Sequence, residues 1–481
     1  MNTGPSEQGS VRPASLYLAM VPVLVLLGSL WWIVAVKEGD ARPALIFATV
    51  AACAIGKILG FRWREMEDGM VKGIQVALPA ILILMVIGIL IGLWISAGVV
   101  PLMIVYGLKL LSPQIFLPAC CLICALVSLA TGSSWTTAGT VGVALIGVAS
   151  GLGVNLGMAA GAIISGAYFG DKMSPLSETT NLAPAVAGAE LFDHIRHMIY
   201  STGPSFLIAL VLFVVLGFSG KGGGEVGGEQ VSLIVDSLGE IFNLNPLLLL
   251  PPLLVLVMVV MKVPALPAML VAAALGGALA MVIQGVSFQG VLDAALTGYV
   301  EVSGVDAVDK LLSDGGAGRG GMDSMFWTIS LVLCAMVFGG VMERTGMLAA
   351  IGGAILSTAH STGSLIAATI ATCFGMNVLA SDQYLSIIVP GRMFREAYRE
   401  RGLAAKNLSR ALEDAGTITS PLIAWNTCGA TMAAALGVGA GQYWMFCFFN
   451  LINPLVSIVL GFTGWTIVKA KTQPGGDSQN S

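Results

Sequence analysis

The sequence predicts an all-α polytopic membrane protein, with about ten transmembrane helices plus two re-entrant hairpins in two inverted repeats with broken helices. Three observations predict this class. Of the 481 residues, 56% are hydrophobic and 10% are charged, and the mean hydropathy is +0.88. A soluble domain carries roughly 25% charged residues. The apolar runs reach the length of about 20 residues that crosses a bilayer core, and polar residues interrupt four of them in a recurring pattern.

Composition also restricts the partners. The net charge of −4 and the lack of a basic arm argue against nucleic acid. All eight cysteines lie in apolar segments, and the CxxC of Cys121 and Cys124 has no second pair nearby, which indicates packing rather than a metal site. The polar tail at residues 1–15 lacks the features of a signal peptide, so the first apolar run is expected to be retained. No cofactor is expected.

The first repeat is predicted over residues 16–219. It begins with three spans, and a short apolar segment at 101–111 is expected to lie at the membrane interface. A re-entrant hairpin is predicted at about 118–150, because the polar run at 131–137 interrupts an otherwise apolar stretch. A broken helix follows at about 154–187. There, Pro175 and Pro184 are expected to interrupt the helix, since proline lacks an N–H and clashes with the preceding turn.

An external connection is predicted at residues 220–245 and a second repeat at 246–468, before a C-terminal tail at 469–481. The second repeat carries a hairpin at about 364–391 and a broken helix at about 411–437. Two basic connections, at 62–72 and 392–410, are placed in the cytoplasm by the positive-inside rule. Both termini then fall in the cytoplasm, and the chain is expected in a bacterial plasma membrane as a multi-pass protein.

An internal repeat links the two halves. The tripeptide Ser174-Pro175-Leu176 recurs 246 residues later as Ser420-Pro421-Leu422, and at that spacing the first polar run meets the polar run at 377–383. The connections that follow the two hairpins fall on opposite sides, so the halves are expected to be inverted. Inverted repeats with broken helices are typical of secondary transporters, whose site lies near the midplane.

Two carboxylates are the leading candidates for the site. Asp171 lies in the first broken helix and Asp382 at the second hairpin tip. A carboxylate at membrane depth is costly unless it is paired or ligated, so each could exchange a proton for a sodium ion. The alternatives are that Lys172 neutralises Asp171 at the membrane surface, and that Asp382 caps a helix.

Other polar residues could supply oxygens to a hard cation. Some of them are expected only to satisfy backbone groups that the breaks set free. The ion- or proton-binding candidates are Ser174, Ser177, Glu178, Thr179, Thr180, Asn181, Asn377, Ser381, Thr419, Ser420, Asn426 and Thr427, and the tip of the first hairpin offers Ser133, Ser134, Trp135, Thr136 and Thr137 for a substrate.

These motifs resemble the NhaC-type sodium/proton antiporter family of the ion transporter superfamily. The resemblance is carried by FGDKMSPLSETTNLAPAVAGAELFDHIRHMIYSTGPS at 169–205, GSSWTTAGTVG at 132–142, ASDQY at 380–384 and TSPLIAWNTCG at 419–429. It implies two inverted repeats with re-entrant hairpins, and exchange of Na⁺ for H⁺. Because relatives in this family also move organic acids or amino acids, the resemblance leaves the substrate open.

The leading hypothesis is therefore a Na⁺/H⁺ antiporter that works by alternating access, in which Na⁺ and H⁺ are cargo. The alternative is a Na⁺- or H⁺-coupled exchanger of an organic acid or amino acid, for example of malate/lactate type. No Arg is expected inside a span to clamp a carboxylate, which favours the bare ion.

An intramembrane aspartyl protease is disfavoured, because the two aspartates come from non-equivalent elements; no enzymatic activity is predicted. The expected partners are the lipid bilayer and small ions or a small organic solute, with a homodimer allowed.

Overall fold

The computed structural model describes residues 12–37, 39–219, 228–300, 303–314 and 317–470. Most of the predicted N-terminal tail, part of the predicted external connection and nearly all of the C-terminal tail lie outside these ranges. Helices dominate the described residues. The one sheet among them is a two-stranded antiparallel ribbon of Ser313–Asp314 (β1) and Ala317–Gly318 (β2).

Ten α-helices precede residue 220. They are α1 (Leu16–Leu30), α2 (Arg42–Ile58), α3 (Trp63–Ser96), α4 (Val99–Leu110), α5 (Pro113–Thr131), α6 (Ser134–Thr137), α7 (Val143–Gly151), α8 (Leu156–Met173), α9 (Glu178–Ala187) and α10 (Leu191–Phe218). The π-helical segment Ala138–Gly142 joins α6 to α7 without a break, and a second one, Trp31–Val36, extends α1.

Thirteen more follow in the described residues. They are α11 (Gly228–Ile241), α12 (Leu250–Val260), α13 (Ala265–Ile283), α14 (Phe288–Leu296), α15 (Asp306–Leu312), α16 (Phe326–Arg344), α17 (Met347–Ser357), α18 (Thr362–Leu379), α19 (Leu385–Glu400), α20 (Ala405–Leu412), α21 (Thr427–Leu436), α22 (Ala440–Tyr443) and α23 (Phe448–Thr463). The π-helical Glu413–Thr417 and the 3₁₀ turn Ser420–Leu422 connect α20 to α21.

Among the described residues, seven helices are long and apolar enough to cross a membrane, and nine spans result if each of two bent helix pairs counts as one. About ten were predicted. The predicted broken spans at about 154–187 and 411–437 are not among the nine, because each is divided into separate helices, α8 with α9 and α20 with α21. Large apolar side chains such as Leu24, Leu207 and Val282 are exposed on the outside of the helices, as expected of a surface that faces lipid. The all-α polytopic class is confirmed.

The predicted interruptions of the first half occur close to their predicted positions. The first hairpin turns at Gly132, whose φ is +67°, a left-handed conformation that glycine adopts without penalty. The first broken helix is interrupted between α8 and α9, next to Pro175. Pro184 was expected to break the helix too, but it lies within α9 without ending it.

The second half departs from the prediction at its basic segment. The hairpin was expected to end at residue 391, whereas α19 continues to Glu400. The connection predicted at 392–410 is therefore short, and α20 already occupies its end. Arg410 is fully buried in α20 rather than solvated. The segment predicted at the interface, at 101–111, forms α4 with most of its apolar side chains buried.

Candidate functional site

One cavity of about 260 Å³ lies where the two hairpin tips and the first broken helix meet. Residues 131–135 of the first tip, 176–179 of the break and 382–384 of the second tip line it. Part of α3 and residues 262–265, ahead of α13, complete the wall. Segments that are distant in sequence thus face a common space, and eight of the residues selected above line it.

Asp171 reaches this cavity from the C-terminal end of α8, and only 7% of its surface is exposed. Its carboxylate accepts hydrogen bonds from the backbone N–H of Ser134 at 3.1 Å and from the Ser134 hydroxyl at 2.7 Å. Close contact between α8 and α5 fixes this position: a Cβ on Gly170 would lie 2.4 Å from the carbonyl oxygen of Ala125. Small residues permit such backbone contact between membrane helices.

Asp382 reaches the cavity from the second tip, and 2% of its surface is exposed. Its Oδ1 accepts from the backbone N–H groups of Tyr384 at 2.9 Å and Leu385 at 3.1 Å, and its Oδ2 accepts from the Thr427 hydroxyl at 3.3 Å. The first two contacts satisfy donors at the start of α19, as a helix cap does. The two interpretations of Asp382 therefore coexist: it caps a helix and it lines the cavity.

A contact between the halves lies beside these aspartates. The hydroxyl of Tyr384, at the second tip, donates to the carboxylate of Glu178, the first residue of α9. Glu178 and Lys262 are exposed, and both line the cavity. The cavity therefore presents one acidic and one basic side chain towards its exterior, while Asp171 and Asp382 lie deeper.

The remaining predicted residues divide into two groups. Ser133, Ser134, Trp135, Ser177, Glu178 and Thr179 line the cavity. The others lie behind its wall and mainly hydrogen-bond to one another or to the backbone. For example, the Thr180 hydroxyl donates to the carbonyl of Lys172 at 3.0 Å, and the Asn377 side chain donates to the carbonyl of Gly416 at 2.8 Å. The residues outside the lining are Ser174, Thr180, Asn181, Thr136, Thr137, Asn377, Ser381, Thr419, Ser420, Asn426 and Thr427.

Behind the wall lies a buried charge cluster that the sequence analysis missed. Lys172 forms an ion pair with Asp414, and neither side chain has any exposed surface. Asp414 also accepts from the Ser201 hydroxyl at 2.9 Å and from the Asn453 side chain at 3.0 Å. Arg410 lies 3.9 Å from the same carboxylate. Lys172 therefore neutralises Asp414 from the second half, and the alternative that it pairs with Asp171 is wrong.

Glu413 adjoins this cluster. Its side chain is fully buried, and neither carboxylate oxygen has a hydrogen-bond partner in the described part of the chain. The side chains around it include Lys172, Thr417, Asp171 and Thr179. The one signal in the sequence was the pair of acidic residues, Glu413 and Asp414, six residues ahead of the second Ser-Pro-Leu motif at 420–422.

A model of the Na⁺/H⁺ antiporter family matches the chain over residues 11–167 and 166–465. The chain is 38% identical over 459 residues to the Na⁺/H⁺ antiporter NhaC of Alkalihalophilus pseudofirmus, covering 93% of this chain and 96% of the relative. It is 38% identical to the arginine/ornithine antiporter ArcD of Halobacterium salinarum, covering 89% and 87%. It is 34% identical to the malate-2H⁺/Na⁺-lactate antiporter of Bacillus subtilis, covering 94% and 96%. The resemblance noted in the sequence is confirmed, and the chain belongs to the Na⁺/H⁺ antiporter family.

Proposed function

We propose that this protein exchanges Na⁺ for H⁺ across the membrane by alternating access, with the cavity as its ion site. One observation carries the proposal: Asp171 from the first half and Asp382 from the second line the same cavity. Hard cations bind carboxylate and hydroxyl oxygens, and Ser177 and Thr179 provide hydroxyls beside the two aspartates. Na⁺ and H⁺ are substrates here, and no cofactor takes part.

The exchange uses the charge of the carboxylates. A buried carboxylate is stable when it holds either a proton or a cation, and costly when it holds neither. An empty, charged site therefore resists the conformational change, whereas a loaded site permits it. Exchange follows because the site returns across the membrane only with the other ion bound.

Two inverted repeats are part of this proposal. The helices support them, because the spacing that relates the two Ser-Pro-Leu motifs also relates α4 to α17, α5 to α18 and α9 to α21 within a few residues. The first repeat is assigned to residues 16–219 and the second to residues 246–468.

A cytoplasmic location of both termini, in a bacterial plasma membrane, is also proposed. The two basic segments approach each other, because Lys72 of the first and Arg392 of the second both act on Glu343, near the end of α16. The N-terminal end reaches α2 through the N–H of Arg12, which donates to the carbonyl of Leu59 at 3.0 Å. The C-terminal end pairs with the basic segment through Leu403 and Lys469. This placement supports a common side for the termini and the basic segments.

The test is transport in liposomes that contain a pH dye and carry an imposed pH gradient. NaCl should dissipate the gradient with wild-type protein and fail to do so with Asp171→Asn. Asp293→Asn, which changes an exposed carboxylate far from the cavity in sequence, is the matched control and should behave as wild type. Exchange that survives in Asp171→Asn at the wild-type rate would contradict the assignment of the site.

A second function keeps the fold and adds an organic solute. The cavity is much larger than a bare ion needs, and relatives at 34–38% identity are named for malate, lactate, arginine and ornithine. The expectation that no Arg lies inside a span does not exclude a buried guanidinium: Arg410, in the short helix α20, is buried, although it lies outside the cavity lining. Adding malate, lactate, arginine or ornithine to the same liposomes separates the two functions: a gradient that collapses only when one of them accompanies Na⁺ supports the organic exchanger.

A further inference from the structure

We propose that Glu413 is a proton-binding site distinct from the sodium site, connected to the cavity through Thr179 and to the cytoplasmic end through a buried column of polar side chains. The column is defined by Glu413, Lys172, Asp414, Arg410, His194 and His197. The inference rests on the proposed Na⁺/H⁺ exchange and adds to it: Glu413 holds the proton that Asp171 then receives in exchange for Na⁺.

The first step concerns the charge of Glu413. The residue has no exposed surface, and both carboxylate oxygens lack a hydrogen-bond donor among the described residues. A buried carboxylate without a partner is far more costly than its neutral acid. Lys172 is the nearby cation, but its ammonium is already paired with Asp414. In this conformation Glu413 therefore holds a proton.

The second step links Glu413 to the cavity. The Thr179 side chain is near Glu413, although no hydrogen bond joins the two in this conformation, and its hydroxyl lies 3.2 Å from that of Ser177, which is near Asp171. A proton can move along this path if Glu413 gives one to Thr179 while Thr179 gives its own to Ser177 and Ser177 gives its own to Asp171. Each hydroxyl ends with one proton, Glu413 becomes a carboxylate and Asp171 becomes an acid.

The charged and titratable groups that face Glu413 come from several elements. Lys172 and Asp171 face it from α8 and Cys373 from α18. Asp414 is its chain neighbour, while α9 contributes the uncharged Thr179. When Glu413 loses its proton, the resulting charge lies near one cation and two other carboxyl groups. The charged form of Glu413 is therefore transient. It forms when Glu413 gives its proton to the cavity, and it ends when Glu413 takes up a proton from the column.

The third step follows the column to the surface. Asp414 lies beside Arg410, whose Nη1 is 3.2 Å from His197 Nε2. His197 Nδ1 lies 3.1 Å from the carbonyl oxygen of Lys406, and the Lys406 ammonium lies 3.6 Å from the half-exposed Asp193. These last residues lie at the end of the protein that carries the basic segments.

The column is incompletely hydrogen-bonded. Its buried atoms without a hydrogen-bond partner in the described ranges include Nε2 of His194, Nη2 of Arg410 and Oδ2 of Asp414, besides both oxygens of Glu413. Buried polar atoms are normally satisfied by protein or by ordered water. Several such atoms along one path are what a water-assisted proton route requires, whereas a purely structural ion pair does not need them.

The first experiment detects the proton directly by infrared spectroscopy of the purified protein. At neutral pH, wild type should show the carbonyl stretch of a protonated carboxylic acid, and Glu413→Gln should lose that band. Glu396→Gln, which removes an exposed carboxylate paired with Arg399, is the control and should keep it. A spectrum of Glu413→Gln that retains the full band would overturn the inference, whatever the protein transports.

The second experiment separates the two ions in liposomes. Glu413→Gln should keep exchange of external for internal ²²Na⁺ within two-fold of wild type and lose Na⁺-driven proton movement at least ten-fold. Equal loss of ²²Na⁺ exchange and proton movement would place Glu413 in the sodium site. Retention of both activities would remove Glu413 from the proton route. Either result contradicts the inference. A wild type that moves no protons with Na⁺ would instead contradict the proposed function, and the infrared result would still decide the state of Glu413.

If Glu413→Gln fails to fold, Thr179→Val replaces it. That variant removes the hydroxyl between Glu413 and the cavity and keeps the carboxyl group. It should retain the infrared band while proton movement slows at least ten-fold. Unchanged proton movement in Thr179→Val would show that protons do not follow this path.

Discussion

The buried pair of Lys172 and Asp414 should respond asymmetrically to the loss of one partner or the other. In Lys172→Met, Asp414 keeps Arg410 at 3.9 Å and accepts hydrogen bonds from Ser201 at 2.9 Å and Asn453 at 3.0 Å. In Asp414→Asn, Lys172 and Arg410 both remain, fully buried, without the carboxylate that compensates them. Both replacements nearly conserve volume, so packing contributes little to the difference.

The expected costs follow from these contacts. Removing one partner of a buried ion pair costs about 3–5 kcal/mol when the other charge is left uncompensated, which is the case of Asp414→Asn. Losing a single hydrogen bond to a charged group that keeps other partners costs about 1.5–3 kcal/mol, which is the case of Lys172→Met. Asp414→Asn should therefore be the more destabilising variant, by about 1–2 kcal/mol in the free energy of unfolding on these figures.

The measurement is reversible unfolding in mixed micelles, followed by the helical circular dichroism signal as the denaturing detergent increases. Glu396→Gln removes one partner of an exposed ion pair and serves as a control, with an expected cost of about 0–1 kcal/mol. Equal costs for Lys172→Met and Asp414→Asn would refute the reasoning, because they would mean that Arg410 does not contribute a charge to Asp414.

Three further results are expected. Gly170→Ala would place a Cβ 2.4 Å from a carbonyl oxygen of α5, and such overpacking should lower stability by about 1–3 kcal/mol and reduce exchange, as thermal unfolding and the liposome assay would show. Ser134→Ala removes the shorter hydrogen bond to Asp171, and the Na⁺ KM should rise about ten-fold for a loss of about 1.4 kcal/mol; an unchanged KM would contradict this. The Arg42 side chain, which hydrogen-bonds to Asp40, lowers the pKa of that carboxyl to about 2. The stabilisation of the folded state by the Asp40–Arg42 pair is therefore complete at neutral pH, and it is lost as the pH falls from about 4 through 2. Asp40→Asn should accordingly lower Tm at pH 7 but not in strong acid.

The sequence was sufficient to predict the membrane class and the main breaks, because these depend on local properties. Hydropathy identifies a span wherever it lies in the fold, and Pro175 predicts the break between α8 and α9 from its own covalent structure. The polar runs predicted the two hairpin tips for a similar reason, since polar groups inside apolar segments need a water-lined or protein-buried place. Asp171 and Asp382 were found by the same reasoning.

The charge cluster could not be predicted in this way, because it depends on contacts between distant segments. Lys172 and Asp414 lie 242 residues apart, and nothing local identifies one as the partner of the other. Arg410 ends a basic run and was therefore assigned to a solvated connection, although the fold buries it in α20. Thr180 and Asn181 show that residue type alone does not identify a cavity residue: both suit an ion site, but their side chains hydrogen-bond to carbonyl groups near the helix break.

Because Asp382 caps α19, ion binding at this carboxylate can affect a helix that extends away from the cavity. Two backbone N–H groups at the beginning of α19 depend on one oxygen of this carboxylate. A proton or a sodium ion on the same group withdraws electron density from those bonds, so occupancy of the cavity weakens the anchoring of the first turn of α19. That helix continues to Glu400, at the end of the protein where the basic segments lie. The chemical state of a single side chain in the cavity can thereby alter the order of a helix whose far end carries a basic segment.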